Sequence, residues 1–311
     1  MISRRQFLVS AALGPVLFRS MPTGIQDVAP AQRETGSDAH EPPQESTEPA
    51  REIKPAPKAP DRLIIINPGH YKYSGENLGT YLPAVGHEYI INTQISRALH
   101  SKLKDIGLQA VVTRDEENYL PDIVQFIADH NARLQAEYHA YISATNNRRH
   151  RELGRREAIL QLGIMRYAEA RRAAAMIHIH VDDQLSKRGR RRSETKGFSL
   201  ILNNTASVES ERLQRELCSA LRTTLPLNRS YHIKNPRRGI FILGNSRLCV
   251  SVPSCLVECG FMTQQYLIDG NKKDICDPDV QDVYAASLAR GLANFFGKFT
   301  PDNQLVCSEE Q

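Results

Sequence analysis

The chain has 311 residues, room for one large domain or two small ones. Forty Lys and Arg stand against 35 Asp and Glu, and the resulting formal charge of +5 is too mild to argue nucleic-acid binding. Six cysteines with no Cys-x-x-Cys pair exclude a disulfide-built scaffold and a zinc ribbon, and the absence of Trp removes a stacking platform for single-stranded nucleic acid.

Residues 1–31 read as an export signal. Arg4 and Arg5 precede a short, modestly apolar stretch over 9–18 that is broken by Gly14 and Pro15. A basic start followed by a short apolar run is the pattern of a signal peptide. The order Ser3-Arg4-Arg5-Gln6-Phe7-Leu8 resembles the twin-arginine signal and predicts a periplasmic or secreted protein. The alternative is a basic anchor helix that stays attached. Residues 32–60, rich in Pro and Glu, form a linker with too little apolar surface to offset its ordering entropy. Residues 301–311 are a short tail.

Residues 61–300 read as one domain. Continuous or alternating apolar runs predict strands over 63–66, 108–113, 176–181, 198–202, 240–243 and 254–257. Helical spacing predicts helices over 89–103, 158–175, 208–225 and 280–296. Strands alternating with helices imply an α/β fold: a single domain with a twisted mixed or mostly parallel sheet, flanked by helices on both faces. Segment 117–156, polar and Arg-rich over 130–156, reads as a long insertion. Such segments in compact domains are commonly lids or binding loops. The expectation here is a gate over the site, displaced by a protein activator or by the wall itself, with a wall of the substrate groove as the alternative.

Chemistry collects at the strand ends. The first strand runs into Asn67-Pro68-Gly69-His70, the third carries His178 and His180, and the last runs into Glu258. Ligands of open α/β sheets bind outside the carboxyl ends of the strands, so His70, His180 and Glu258 are placed to converge. Each alone reads more simply as a hydrogen-bonded structural residue. Glu88 opens the first helix, where a carboxylate also serves the helix dipole. Two His and one carboxylate are the protein ligands of a catalytic zinc with one open position.

These residues carry a resemblance. Ile64-Ile65-Ile66-Asn67-Pro68-Gly69-His70, Gly86-His87-Glu88, Thr113-Arg114-Asp115, Arg166-Tyr167-Ala168, Ile177 to Asp182 and Leu256-Val257-Glu258-Cys259-Gly260-Phe261 follow in order the motifs of the zinc-dependent N-acetylmuramoyl-L-alanine amidases, the type-3 amidase family. The resemblance spans about residues 62–297. It implies that His70, Glu88 and His180 bind one zinc per chain and that Glu258 is the catalytic acid and base. It also implies hydrolysis of the amide between N-acetylmuramic acid and L-alanine in peptidoglycan, by a chain acting as a monomer. The alternatives are a zinc amide hydrolase of different peptide specificity and a wall-binding protein of the same fold without catalysis.

Several positions depart from the family pattern. Asn67 stands where the family often has Asp. His178 replaces a Ser; it is expected to be structural and to point away from His180, with a supporting or substitute-ligand role as the alternative. His87 could compete with Glu88 for the metal. Arg237 and Arg238 are candidates for substrate carboxylates, and the basic run 188–192 for contact with the anionic wall. Cys255 and Cys259 flank Glu258 and read as packed side chains rather than nucleophiles.

Overall fold

A computed structural model describes residues 62–71, 79, 81–82, 86–116, 118–145, 155–182, 197–202, 207–227 and 251–297. The export signal, the linker, the strand expected over 240–243, the run 188–192, Arg237, Arg238 and the tail lie outside the described residues. Among the described residues no helix is long and apolar enough to cross a membrane.

In chain order the elements are β1 (Ile64–Pro68), β2 (Tyr81–Leu82), β3 (Gly86–His87), α1 (Glu88–Asp105), β4 (Ala110–Val112), α2 (Pro121–Asp129), α3 (Asn131–Thr145) and α4 (Arg155–Ala170). There follow β5 (Ala175–Asp182), β6 (Ser199–Ile201), α5 (Val208–Leu221), β7 (Ser254–Phe261), β8 (Gln265–Ile268), β9 (Asn271–Asp274) and α6 (Pro278–Phe295). Five strands form the central sheet in the order β4-β1-β5-β7-β6. The β1–β4, β1–β5 and β5–β7 pairs are parallel, and β6 closes one edge antiparallel to β7. The expected α/β single domain with a mostly parallel sheet is what the chain forms. Parallel pairing brings the carboxyl ends of β1, β5 and β7 to one edge, which positions the site.

The sheet is buried on both faces, as parallel sheets require. Ile64, Ile66, Ile177, Ile179 and Val257 pack with α1, α5 and α6. Ile65 and Met176 face the other way, against α2, α3 and α4. α1 buries Ile91, Ile95, Leu99 and Leu103, a stripe at four-residue spacing. It stops at Gly107, whose φ of 67° is a left-handed conformation that glycine adopts without strain. The Oγ of Ser207 caps α5 by accepting from the Ser210 N–H, and the Asp277 carboxylate caps α6 by accepting from the Asp279 N–H.

Two elements differ from expectation. The segment 117–156 carries α2 and α3, and Ile123, Leu134 and Tyr138 are buried in the second core. Its described parts, 118–145 and the first two residues of α4, therefore belong to a layer of the fold and not to a free flap; Glu117 and residues 146–154 lie outside the described residues. The hairpin β8–β9 turns at Asp269-Gly270, with φ of 50° and 78°. That is a two-residue loop with both residues left-handed, and Asp-Gly is among its preferred sequences.

Candidate metal and active site

β1 delivers His70. The Gly69 N–H donates to the Ile179 carbonyl at 2.7 Å, tying the end of β1 to β5. A Cβ on Gly69 would lie 2.1 Å from the ring of His180, so only glycine permits this approach. His70 itself has φ of 57°. That conformation costs a non-glycine residue on the order of 1–3 kcal/mol and persists only where the surroundings over-determine it. They do so here: the Gly69 carbonyl accepts from Asn92 Nδ2 at 3.1 Å and from Arg114 Nη2 at 2.8 Å.

Glu88 is the first residue of α1 and is 4% exposed. Its Oε1 lies 3.1 Å from His70 Nε2 and 3.5 Å from His180 Nδ1. It also accepts from Asn92 Nδ2 at 3.3 Å and from the Val181 N–H at 3.4 Å. The two imidazoles meet edge to face with centroids 5.0 Å apart. One ligand atom from each of His70, Glu88 and His180 falls within 4.8 Å of the others. Burial by itself would raise the Glu88 pKa, but hydrogen bonds with His180 and His70 prevail and hold the carboxyl well below its ordinary range. Burial lowers the pKa of His180, which favours the neutral ring. Ionised carboxylate and neutral imidazole are the ligand forms a divalent metal requires, and two His with one Glu suit zinc.

Glu258 sits on β7, in register with His180 on β5 and with Ser199 on β6. Its Oε2 is buried and has no hydrogen-bond partner among the described residues. Burial, and then the charges of Asp182 and Glu88, push its pKa well above the usual carboxylate range. Buried polar atoms without partners are rare and need a functional or structural reason. The flanking thiols offer no alternative nucleophile. Cys255 and Cys259 are buried, and burial pushes both pKa values up, so neither forms a thiolate near neutral pH. Gly260 closes the segment at φ 95°, where a Cβ would strike the Tyr266 hydroxyl at 2.2 Å.

The remaining expected residues fall elsewhere. His87 is not in the ligand cluster; its ring lies 4.5 Å from that of Tyr81, centroid to centroid. His178 does not point away from His180: residues two apart on a strand share a face, and Met176 and His178 accordingly turn away from the core that takes Ile177, Ile179 and Val181. Burial, with the neighbouring His180, takes the His178 pKa down to about 3. Asn67 Nδ2 donates to His178 Nδ1 at 3.1 Å and to Gln161 Oε1 at 3.1 Å, while Asn67 Oδ1 accepts from Thr113 Oγ1 at 2.8 Å. An amide at position 67 can both donate and accept, which the family's more usual carboxylate cannot. Arg166 lies away from the site, paired with Glu137 at 2.9 Å and with Glu169, whose other oxygen accepts from the Ser251 N–H just before β7. Two contributors went unread in the sequence. Asn92 stands four residues after Glu88 on α1, a spacing that faces the two together. Gly79, at φ 73°, lies where a Cβ would come 2.5 Å from Glu88 Oε2 and 2.9 Å from His70 Cδ2.

A mostly parallel α/β sheet with a His-Glu-His cluster and a partnerless carboxyl at the carboxyl ends of its strands defines a hydrolase-type site. Residues 64–294 match the family model of N-acetylmuramoyl-L-alanine amidase, and the chain belongs to that family. Its reaction is hydrolysis of the amide bond that joins N-acetylmuramic acid to L-alanine in peptidoglycan. Among solved structures, the CwlD amidase of Clostridioides difficile, in complex with the GerS lipoprotein, is 17% identical, with 76% of this chain and 99% of that chain covered and a TM-score of 0.49. AmiC2 of Nostoc punctiforme is 17% identical over 77% of this chain and 99% of that chain, with a TM-score of 0.45. The catalytic domain of CwlV from Bacillus (Paenibacillus) polymyxa is 15% identical over 76% and 98%, with a TM-score of 0.47. No curated protein matches the chain.

Proposed function

We propose that His70, Glu88 and His180 hold one zinc ion per chain and that Glu258 carries the proton in amide hydrolysis. The observation that carries this reading is the ligand cluster within 4.8 Å, with the partnerless Glu258 carboxyl in register with His180. A zinc ion held there would supply Lewis-acid polarisation of the scissile carbonyl and make water more acidic. The chain's own groups do the rest. As carboxylate, Glu258 takes a proton from the attacking water. Its raised pKa favours holding that proton until the C–N bond breaks, when it passes to the departing α-amine of L-alanine. The products are the free lactyl carboxylate of the glycan and the free stem peptide.

The reading extends to residues beyond the described ones. The Arg4-Arg5 pattern supports twin-arginine export to the periplasm or medium, where peptidoglycan lies. Arg237 and Arg238 suit carboxylates of the stem peptide. An activator that displaces the whole of 117–156 draws no support from the packed part of that segment.

The test is zinc per chain together with stem-peptide release from purified cell wall. Wild type should hold one zinc and release peptide, and His180→Ala should lose both. A zinc-loaded wild type that releases no peptide would return the protein to the wall-binding reading.

A further inference from the structure

The polar groups around the Gly69 peptide do more than fill space. Asn92 is fully buried, and its Nδ2 reaches both the Gly69 carbonyl at 3.1 Å and Glu88 Oε1 at 3.3 Å. One amide nitrogen thus spans the peptide before His70 and the carboxylate of Glu88. Arg114, 1% exposed, reaches the same carbonyl at 2.8 Å. Its other hydrogen bonds go to Thr93 Oγ1 at 2.6 Å, the Asp115 carbonyl at 3.0 Å and the Tyr89 carbonyl at 3.4 Å, all neutral oxygens. Burying a guanidinium against neutral partners is costly, and fold stability alone gives no reason for a charge there. Both donors converge on the one carbonyl whose peptide leads into the left-handed His70.

The geometry points to Asn92 and Arg114 as positioning residues that set His70 and Glu88 through the Gly69 carbonyl. Arg114 fixes the peptide and so holds the left-handed turn that aims the His70 ring. Asn92 fixes the distance from that turn to Glu88 Oε1. Neither touches substrate; each acts through a ligand. The inference rests on the metal reading above, because it assigns these residues to the pre-organisation of that cluster.

The experiment is a competitive zinc titration against a chromophoric chelator on the full-length protein, for wild type, His70→Ala, Asn92→Leu, Asn92→Ala and Arg114→Lys. Urea midpoints of the chelated proteins are measured in parallel. Asn92→Leu nearly preserves the buried volume and removes the donor; Arg114→Lys keeps the charge and loses the fork. Partners that orient metal ligands typically contribute roughly 10–100-fold to metal affinity. The expected result is a zinc Kd weakened by about that factor in Asn92→Leu and Arg114→Lys, with kcat falling more than KM rises. A purely structural role would move the chelated urea midpoint and leave zinc affinity unchanged. Zinc affinities within twofold of wild type in both, while His70→Ala loses zinc, overturn the positioning role and leave the metal centre standing. Failure of wild type itself to bind zinc overturns the metal reading and this inference with it. Should Asn92→Ala or Arg114→Lys fail to fold, Asn92→Leu decides the matter.

Discussion

The two ends of the central sheet are built on opposite rules. At the amino end, Arg166 bridges Glu137 and Glu169, and Glu169 in turn accepts from the Ser251 N–H. Charges there meet opposite charges, and the network ties α3, α4 and the entry to β7 together. At the carboxyl end, His70 is strained, the Glu258 Oε2 has no partner, and Arg114 is buried among neutral oxygens. Arg166 and Arg114 are both family-motif arginines, so residue type alone does not separate the two ends. A satisfied network reads as scaffold; a region that holds unsatisfied and strained groups in place reads as a site made ready for a partner.

The sharpest test of that contrast is Glu258→Gln. The amide keeps the shape but cannot accept the water's proton, so the rate of peptide release should fall by roughly 10²–10⁴-fold. Zinc content should stay at the wild-type level, because Glu258 is not assigned to the metal. Loss of zinc in this variant would make Glu258 a ligand and break the division of roles.

Gly69→Ala probes how tightly the carboxyl end is packed. Its Cβ would sit 2.1 Å from the His180 ring, against a side chain held on a central strand. Overpacking of this kind typically costs about 1–3 kcal/mol. The urea midpoint should drop accordingly, and zinc affinity should drop with it because the imidazole must move. A variant with unchanged zinc affinity would show that the backbone at position 69, and not the His180 ring, gives way.

His178 brings the contrast down to proton binding. Its pKa is near 3 when folded against an ordinary 6.5, so below pH 6.5 the unfolded chain binds a proton that the folded chain does not. The stability it contributes is therefore present above pH 6.5 and is lost as pH falls toward 3. The chelated protein should lose up to about 1.4 kcal/mol per pH unit from this residue between pH 6 and 5, a window above the ordinary carboxylate range. His180, whose pKa is also lowered, acts in the same direction. In His178→Asn the side-chain oxygen can still accept from Asn67, and the pH slope of the urea midpoint should become shallower. An unchanged slope would show that His178 is protonated in the folded protein.

The smallest effect belongs to the amino end. Arg166→Gln breaks two partly buried ion pairs, each worth about 1 kcal/mol or less. Peptide release and zinc content should match wild type. A fall in catalytic rate without a fall in stability would show that the two ends are coupled, and the contrast drawn above would not hold.

Much of this was readable from the sequence. The apolar runs of β1, β5 and β7, the Ile91-Ile95-Leu99-Leu103 stripe of α1, and polar residues standing where strands end all follow from local periodicity. Such periodicity is written residue by residue, and it sufficed to place His70, His180 and Glu258 on one edge, while the resemblance to the family added Glu88. The Asp269-Gly270 turn is equally local, but the segments beside it lack the regular polar–apolar alternation that marks a hairpin. Other features were settled only by the folded chain. Leu134 and Tyr138 are sparse apolar residues in a polar stretch, and their burial, like that of Ile123 on the more apolar α2, depends on the sheet face that receives them. The turning of Asn67 toward His178 required the actual strand register, whereas the face shared by His178 and His180 follows from their two-residue spacing alone. The convergence of Asn92 and Arg114 on one carbonyl joins residues 23 and 45 positions from Gly69 in the chain. Periodicity shows which face a side chain occupies. It carries no information on which distant donor will meet a given oxygen, because that is decided when the packed layers close and each buried polar atom must find a partner in the space left to it.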